Sequence, residues 1–257
     1  MPEVPSMRDH VGSLEKGLGV IEILATHPAG LTLTETAERA GLTRAGARRL
    51  LLTLVAAGYA GQNGRVFALT PKLLSLSRMW LEGTSLWSFA EPFMRAVATE
   101  MNESCSAAVL SGHDVVYVAR IPGARIMRVA LQVGTRLPAY CTSMGRVLMS
   151  GMTQEQLADF LGGAVIEPNT PKTITDRHEI ARKVRQAAEQ GFALVDEELE
   201  IGLRSIAVPI RDRQGAIAAA INVSAQSARF SVAEMETAVL PPLKRAAEKI
   251  EGFFTVQ

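Results

Sequence analysis

Arg44, Arg48, Arg49 and Arg65 lie in a stretch with no acidic residue between Glu38 and Glu82. Arg39, Lys72 and Arg78 complete its seven basic side chains. The whole chain of 257 residues holds 27 basic and 26 acidic residues, so the bias is local. One-signed charge on a compact module is the electrostatic footprint of a surface that meets phosphate. The alternative is an excess of arginine on solvated faces. A second group of candidates lies downstream. Thr142 precedes an apolar helical pattern, so the amides of Ser143, Met144 and Gly145 would face outward at a capped helix start. That is either a seat for a carboxylate or an ordinary cap. Asn222 and Ser224 alternate within the apolar run 219–224 and share one face of a strand. Turned inward, they need polar partners from a ligand or from the protein itself. Asp196 follows another apolar strand and is placed to reach the same pocket.

The elements that position the arginines are legible nearby. Ser13 is placed to cap a helix running to about Thr26, with Leu14, Leu18, Ile21 and Leu24, together with Val20, as its apolar stripe. Thr32 or Thr34 caps a second, short helix, with Glu35 as the capping-box partner of Thr32, and Gly41 closes it. Thr43 caps a third helix that buries Ala47, Leu50, Leu51, Leu54 and Val55 and ends at Gly58. Helix, glycine turn and capped helix is the helix-turn-helix arrangement. On the third helix Ala45 and Arg49 point away from the apolar stripe, Arg48 sits at its edge and Arg44 lies in the first turn. Thr43, Arg44, Ala45, Arg48 and Arg49 therefore form the expected DNA-facing end, where arginine can pair with guanine or with phosphate. Asn63-Gly64 between two short strand-like runs predicts a type I′ hairpin, a wing with Arg65 beside its tip. A winged helix can also contact protein; the acid-free stretch decides for DNA.

The expected organisation is a winged helix-turn-helix over 10–70, a linker helix over 71–84 and a second domain over 85–257. The linker helix and its neighbour over 86–101, interrupted near Pro92, either dimerise, transmit a signal or pack on the second domain. From Ser104 the period changes to that of strands, at 104–111, 115–121, 126–133, 204–211 and 216–224. Helical patterns fall at 143–150, 154–160, 176–190 and 231–253, the last bent near Pro241-Pro242. The fold class expected is α+β: the winged module joined by a helix to a GAF/PAS-like α/β effector-binding domain with a mixed sheet. Fold by itself does not establish ligand binding.

Other classes of function find little support. His10, His27, His113 and His178 are scattered, and no histidine, cysteine or carboxylate spacing suggests a metal site. Ser143 lacks the setting of a nucleophile elbow, and no glycine-rich phosphate loop is present. The chain is therefore read as a non-enzyme without cofactor. Cys105 and Cys141 are too few for a disulfide framework. No apolar run has transmembrane length and no signal peptide opens the chain, so a cytoplasmic protein with no membrane partner is expected.

Three strings carry a wider likeness: Ser13-Leu14-Glu15-Lys16-Gly17-Leu18, Leu50-Leu51-Leu52-Thr53-Leu54 and Gly202-Leu203-Arg204-Ser205-Ile206-Ala207. Through them the chain resembles the IclR family of bacterial transcriptional regulators over nearly its full length. The strings at 103–110, 136–146 and 220–224 are most similar to the branch that regulates protocatechuate and 4-hydroxybenzoate catabolism. The resemblance implies a dimer, or dimer of dimers, that binds double-stranded operator DNA. It also implies an effector pocket formed by Leu137, Ser143, Met144, Asp196, Ser205, Asn222 and Ser224. Ser143 and Met144 stand where some members have small residues, and Ser205 where some have cysteine. Tyr140 is added on its own chemistry, as a ring that stacks in the pocket or packs in the core. The resulting expectation is a ligand-responsive regulator of aromatic-acid catabolism that senses a small carboxylate, aromatic or β-ketoadipate-like. The alternatives are a DNA reader whose second domain only oligomerises, and an enzyme acting on a small acid.

Overall fold

Short-range capping sets the helices of the first unit. The computed structural model describes residues 11–75, 85–123 and 131–256, and the chain divides into units Met1–Gly83 and Thr84–Gln257. In the first unit, α1 (Gly12–Ala25), α2 (Leu33–Arg39) and α3 (Arg44–Ala56) pack with a small sheet of β1 (Leu31–Thr32), β2 (Ala60–Asn63) and β3 (Val66–Leu69). Thr32 and Glu35 form the reciprocal capping box of α2, and Thr43 Oγ1 accepts from the Gly46 amide at 3.1 Å to cap α3. Gly41, at φ +61°, makes the turn between the two helices in the left-handed region that glycine favours. Val20, Leu24, Leu31, Leu51, Leu54, Ala60 and Phe67 form the core.

Two local expectations are corrected. Ser13 caps nothing: α1 starts at Gly12 after Val11, without a side-chain cap. Its buried residues are Val20 and Leu24, whereas Leu14 and Leu18 are exposed. The hairpin register pairs Asn63 with Val66, so the two turn residues are Gly64 and Arg65, one position later than expected. Only Gly64 has positive φ, the pattern of a II′ turn rather than I′.

In the second unit α4 (Ser85–Met101), continuous through Pro92, leads into β4 (Ser104–Ser111), β5 (Asp114–Ile121) and β6 (Arg136–Pro138). Three helices follow: α5 (Ser143–Met149), α6 (Gln154–Gly163) and α7 (Arg177–Gln190). Then come β7 (Ala193–Asp196), β8 (Leu203–Arg211) and β9 (Ile217–Gln226), and finally α8 (Val232–Glu234) and α9 (Leu240–Val256). The strands form one sheet in the order β6-β5-β4-β9-β8-β7. The expected mixed sheet is corrected, because every neighbouring pair is antiparallel. The reason is connectivity. Each half is a meander of sequential strands, and the excursion through α5–α7 links the two edge strands, not hydrogen-bonded neighbours. No parallel crossover pair is created.

Alternation along the strands sorts side chains between two faces. Ala207 and Ala220 join the core around α5, and α4 and α9 pack on each other and on the sheet. Between α8 and α9 a five-residue π turn, Met235–Val239, replaces the expected bend at the prolines. Pro241 and Pro242 lack the amides that would continue a regular ladder into the preceding turn, and the widened turn absorbs the misfit. The strand expected over 126–133 and the linker helix beyond residue 75 lie largely outside the described residues; residues 72–75 are helical.

A close backbone approach at Gly145 positions the candidate ligand helix. A Cβ at Gly145 would lie 2.1 Å from the carbonyl oxygen of Ala139 and 2.5 Å from its carbonyl carbon. Backbone cannot yield as a flexible side chain does. Gly145→Ala is expected to lose at least about 3 kcal/mol in urea unfolding; wild-type stability would mean that α5 does not seat tightly on the 139–142 turn.

Candidate functional site

In the first unit the recognition helix turns two exposed stripes outward. At about 100° per residue, Arg44, Arg48 and Leu52 follow one another along one flank of α3, and Ala45, Arg49 and Thr53 along the next. All six are exposed. The Arg44–Arg48–Leu52 flank faces the hairpin across a groove of about 440 Å³, whose other walls include Thr34, Gln62 and Arg65. Arg49 and Ala45 do not line it. Lys72, also part of the acid-free stretch, donates from Nζ to the Ala57 carbonyl at 2.7 Å and lies over the Tyr59 ring. It closes the C-terminus of α3, a role that its sequence position did not reveal. Arg78 lies outside the described residues.

In the second unit α5, β7, β8 and β9 enclose a cavity. Ser143, Ser205, Asn222 and Ser224 are brought together in its wall, with Tyr117, Leu131, Cys141, Thr142, Val195, Leu199 and Leu203. Leu137, Tyr140, Met144 and Asp196 do not line it. Leu137 is half-buried on β6 and packs against the domain core. Met144 is buried in that same core. Tyr140 points to the other side of its segment. Its hydroxyl donates to the Glu167 carbonyl at 2.6 Å and accepts from the Glu167 amide and Asn169 Nδ2. Asp196 is engaged by Arg204 through Oδ1, at 2.7 Å from Nε and 2.6 Å from Nη2, and by Lys172 through Oδ2 at 3.3 Å.

The cavity wall is polar yet incompletely matched. Thr142 Oγ1 accepts from the Gly145 amide at 3.2 Å and so caps α5 as expected. Asn222 Nδ2 donates to Ser224 Oγ at 3.0 Å. Asn222 Oδ1 and Ser143 Oγ are buried without a hydrogen-bond partner. An unmatched buried polar atom costs about 1–3 kcal/mol, and here a hydroxyl and an amide oxygen go unmatched in one wall. Among the described residues no side-chain cation lines the cavity. Burial pushes the Tyr117 hydroxyl and the Cys141 thiol up to about 12, so both stay protonated at neutral pH. The enclosed volume is about 20 Å³, enough for about one water molecule. A ring-sized ligand must therefore push a wall outward. The seven lining residues that sequence reasoning missed include Leu199, within the irregular β7–β8 connection, and Leu203, the first residue of β8.

That connection is strapped down. Glu198 Oε2 accepts from Arg146 Nη2 at 2.6 Å, with the two side chains 7% and 2% exposed. It also accepts from the Ile174 amide at 3.2 Å. Arg146 Nε donates to the Tyr140 carbonyl. Thr170 and Thr173 hydroxyls donate to the carbonyls of Glu197 and Glu198, each at 2.6 Å. Lys172 holds the Glu197 carboxylate at 2.9 Å and keeps it below its usual range, helped by the Gly202 amide. Removing one partner of a buried ion pair strands the other charge. Glu198→Ala is expected to cost about 3–5 kcal/mol in denaturant unfolding. Arg146→Met combined with Glu198→Leu should recover most of that loss; no loss in the single variant would refute the strap.

Among the described residues no group of three or more histidine, cysteine or carboxylate side chains is placed to hold a metal ion. Among the described residues no helix is long and apolar enough to cross a membrane.

Comparison with known proteins covers both units. Residues 13–64 match the IclR helix-turn-helix domain, and residues 79–252 match the bacterial transcriptional regulator IclR C-terminal domain. The chain is 40% identical over 243 residues to the Pca regulon regulatory protein of Pseudomonas putida, covering 94% of this chain and 84% of that one. A solved transcriptional-regulator structure from Rhodococcus sp. RHA1 superposes with a TM-score of 0.81 at 41% identity, covering 96% of this chain and 99% of the other. The inducer-binding domain of a double mutant of the Acinetobacter PobR transcription factor, solved with 3-hydroxybenzoic acid, matches with a TM-score of 0.60 at 31% identity. That match covers 64% of this chain and 97% of the other.

Proposed function

The chain belongs to the IclR family of bacterial transcriptional regulators, a family of DNA-binding regulators and not of enzymes, and from that premise we propose that it controls aromatic-acid catabolism genes by sensing a hydroxylated aromatic carboxylate. The observation that carries the proposal is the pair of unmatched polar atoms in the α5–β9 cavity. The Ser143 hydroxyl can donate to a carboxylate oxygen, and Asn222 Oδ1 can accept from a ring hydroxyl. A hydroxybenzoate offers both groups on a flat apolar body, suited to the walls of Tyr117, Leu131, Val195 and Leu199. The relatives support the class: one is named for the Pca regulon, and another was solved with a hydroxybenzoic acid. The effector set proposed is Ser143, Ser205, Asn222 and Ser224, supported by their shared cavity. Leu137, Tyr140, Met144 and Asp196 act on the effector only through the walls they support. The DNA-facing set proposed is Thr43, Arg44, Ala45, Arg48, Arg49 and Arg65, working in a dimer or dimer of dimers on operator DNA.

The test is thermal unfolding of the full chain with 3- and 4-hydroxybenzoate, 3,4-dihydroxybenzoate, benzoate and β-ketoadipate. A ligand at about 100 times its Kd adds about 2.7 kcal/mol to the folded state, so at least one hydroxylated ring should raise the midpoint by several degrees. Asn222→Leu should erase the preference for hydroxylated over plain benzoate, and Ser143→Ala should weaken every acid. Absence of any shift across the panel would favour the reading in which the second unit only oligomerises.

A further inference from the structure

We propose that the arginines of the winged unit divide their labour: Arg44, Arg48 and Arg65 grip one sugar–phosphate strand in the groove between α3 and the hairpin, while Arg49 reads base edges. The division rests on the reading of this unit as a duplex binder and goes beyond it by giving each side chain its own target.

The buried residues Ala47, Leu51 and Leu54 mark the inward side of α3. Counted at about 100° per residue from their mean direction, Arg49 points almost straight outward, roughly 190° away. Arg44 and Arg48 lie only about 50° and 90° away, on the flank that faces the hairpin. A helix seated in the major groove presents its outermost stripe to the bases. That stripe consists here of Ala45 and Arg49, and the small Ala45 lets the helix axis come close while Arg49 reaches further. A flank turned about 100° or more from that direction meets the wall of the groove, which is phosphate and sugar.

The hairpin makes the same point from the other side. With α3 in the major groove and the tip at Gly64-Arg65 reaching over the adjacent edge, the strand between them has to occupy the concavity. The concavity is built for it. Arg44 and Arg48 line one wall, Arg65 and Gln62 line the other, and Leu52 gives an apolar surface against sugar. Gln62 Nε2 is used on the Gly64 carbonyl at 2.9 Å, which steadies the tip that carries Arg65. Among the described residues no carboxylate lines the groove, and none of the four arginines is ion-paired.

The two roles leave different signatures. Each phosphate neutralised adds about 0.9 to the slope of log affinity against log salt, whatever the sequence. A base contact adds discrimination and little slope. The experiment uses the full chain and two probes: a duplex selected by the wild-type protein from a random-sequence library, and an unselected random-sequence duplex. Arg48→Ala and Arg65→Ala are expected to weaken both duplexes by the same factor and to lower the salt slope by about one for each copy bound. Arg48→Lys, which keeps the charge, should retain the slope. Arg49→Ala should lower the ratio of selected to random affinity about tenfold or more and leave the slope on random duplex unchanged. Loss of the ratio in Arg48→Ala or Arg65→Ala, or loss of slope without loss of ratio in Arg49→Ala, overturns the division. Wild-type protein that binds neither duplex overturns the duplex reading itself, and the division with it.

Discussion

The buried ion pair between Arg146 and Glu198 is the constraint around which the second unit is arranged. Neither charge is solvated, so each must be satisfied by the other and by backbone. Arg146 sits on α5, three residues after Ser143, and its Nε reaches back to the Tyr140 carbonyl. Glu198 sits in the β7–β8 connection and takes a second donor from the Ile174 amide. One interaction thus joins the candidate ligand helix, the turn before it, the segment ahead of α7 and the loop between two strands. Such a pair adds little net stability compared with a well-packed apolar replacement. What it contributes is a tie between four segments, since both buried charges are satisfied in the arrangement seen.

That arrangement leaves the neighbouring cavity shut and polar. A shut cavity with a mismatched wall is an unusual endpoint for packing, because buried polar atoms are nearly always matched. The mismatch is local to Ser143 and Asn222, while Ser224 and Thr142 in the same wall are satisfied. The protein therefore holds a donor and an acceptor in reserve behind Leu199 and Leu203. Leu199, one of the cavity's lining residues, belongs to the connection that Glu198, Thr170 and Thr173 strap down.

The parts legible in the sequence are those set by short-range physics. Thr32, Thr43 and Thr142 cap helices within three residues of themselves, and each is found doing so. Asn222 and Ser224 share a face because strands alternate, and their side chains meet in one cavity wall. The winged unit followed from two caps, a glycine turn and a hairpin, although the hairpin turn lay one residue further on. The misreadings have long-range causes. Asp196 was assigned to the pocket, but Arg204 stands opposite it in the β7–β8 register and claims its carboxylate. Of the two roles read for Tyr140, stacking in the pocket or packing in the core, the structure has the second: the ring is buried in the core and its hydroxyl is fixed by Glu167 and Asn169. Leu14 and Leu18 follow helical spacing as well as Val20 and Leu24 do, and only the packed partners of α1 decide which face is inside. The antiparallel sheet was hidden because the chain order of strands and helices does not say which strands are neighbours.

The same reserve of unmatched atoms sets the scale on which a ligand can act. Two buried polar atoms left unmatched hold about 1–3 kcal/mol each, and a ligand that satisfies both recovers that energy only in the state it occupies. Coupling between sites in regulators is typically about 1–3 kcal/mol, the scale of one or two buried hydrogen bonds gained or lost. The mismatch acts only if the alternative state leaves Ser143 and Asn222 better solvated or the strap differently paired, because a ligand with equal affinity for two states shifts neither. Under the proposed function, a fully satisfied wall would make the empty domain more stable and would leave a ligand less to recover.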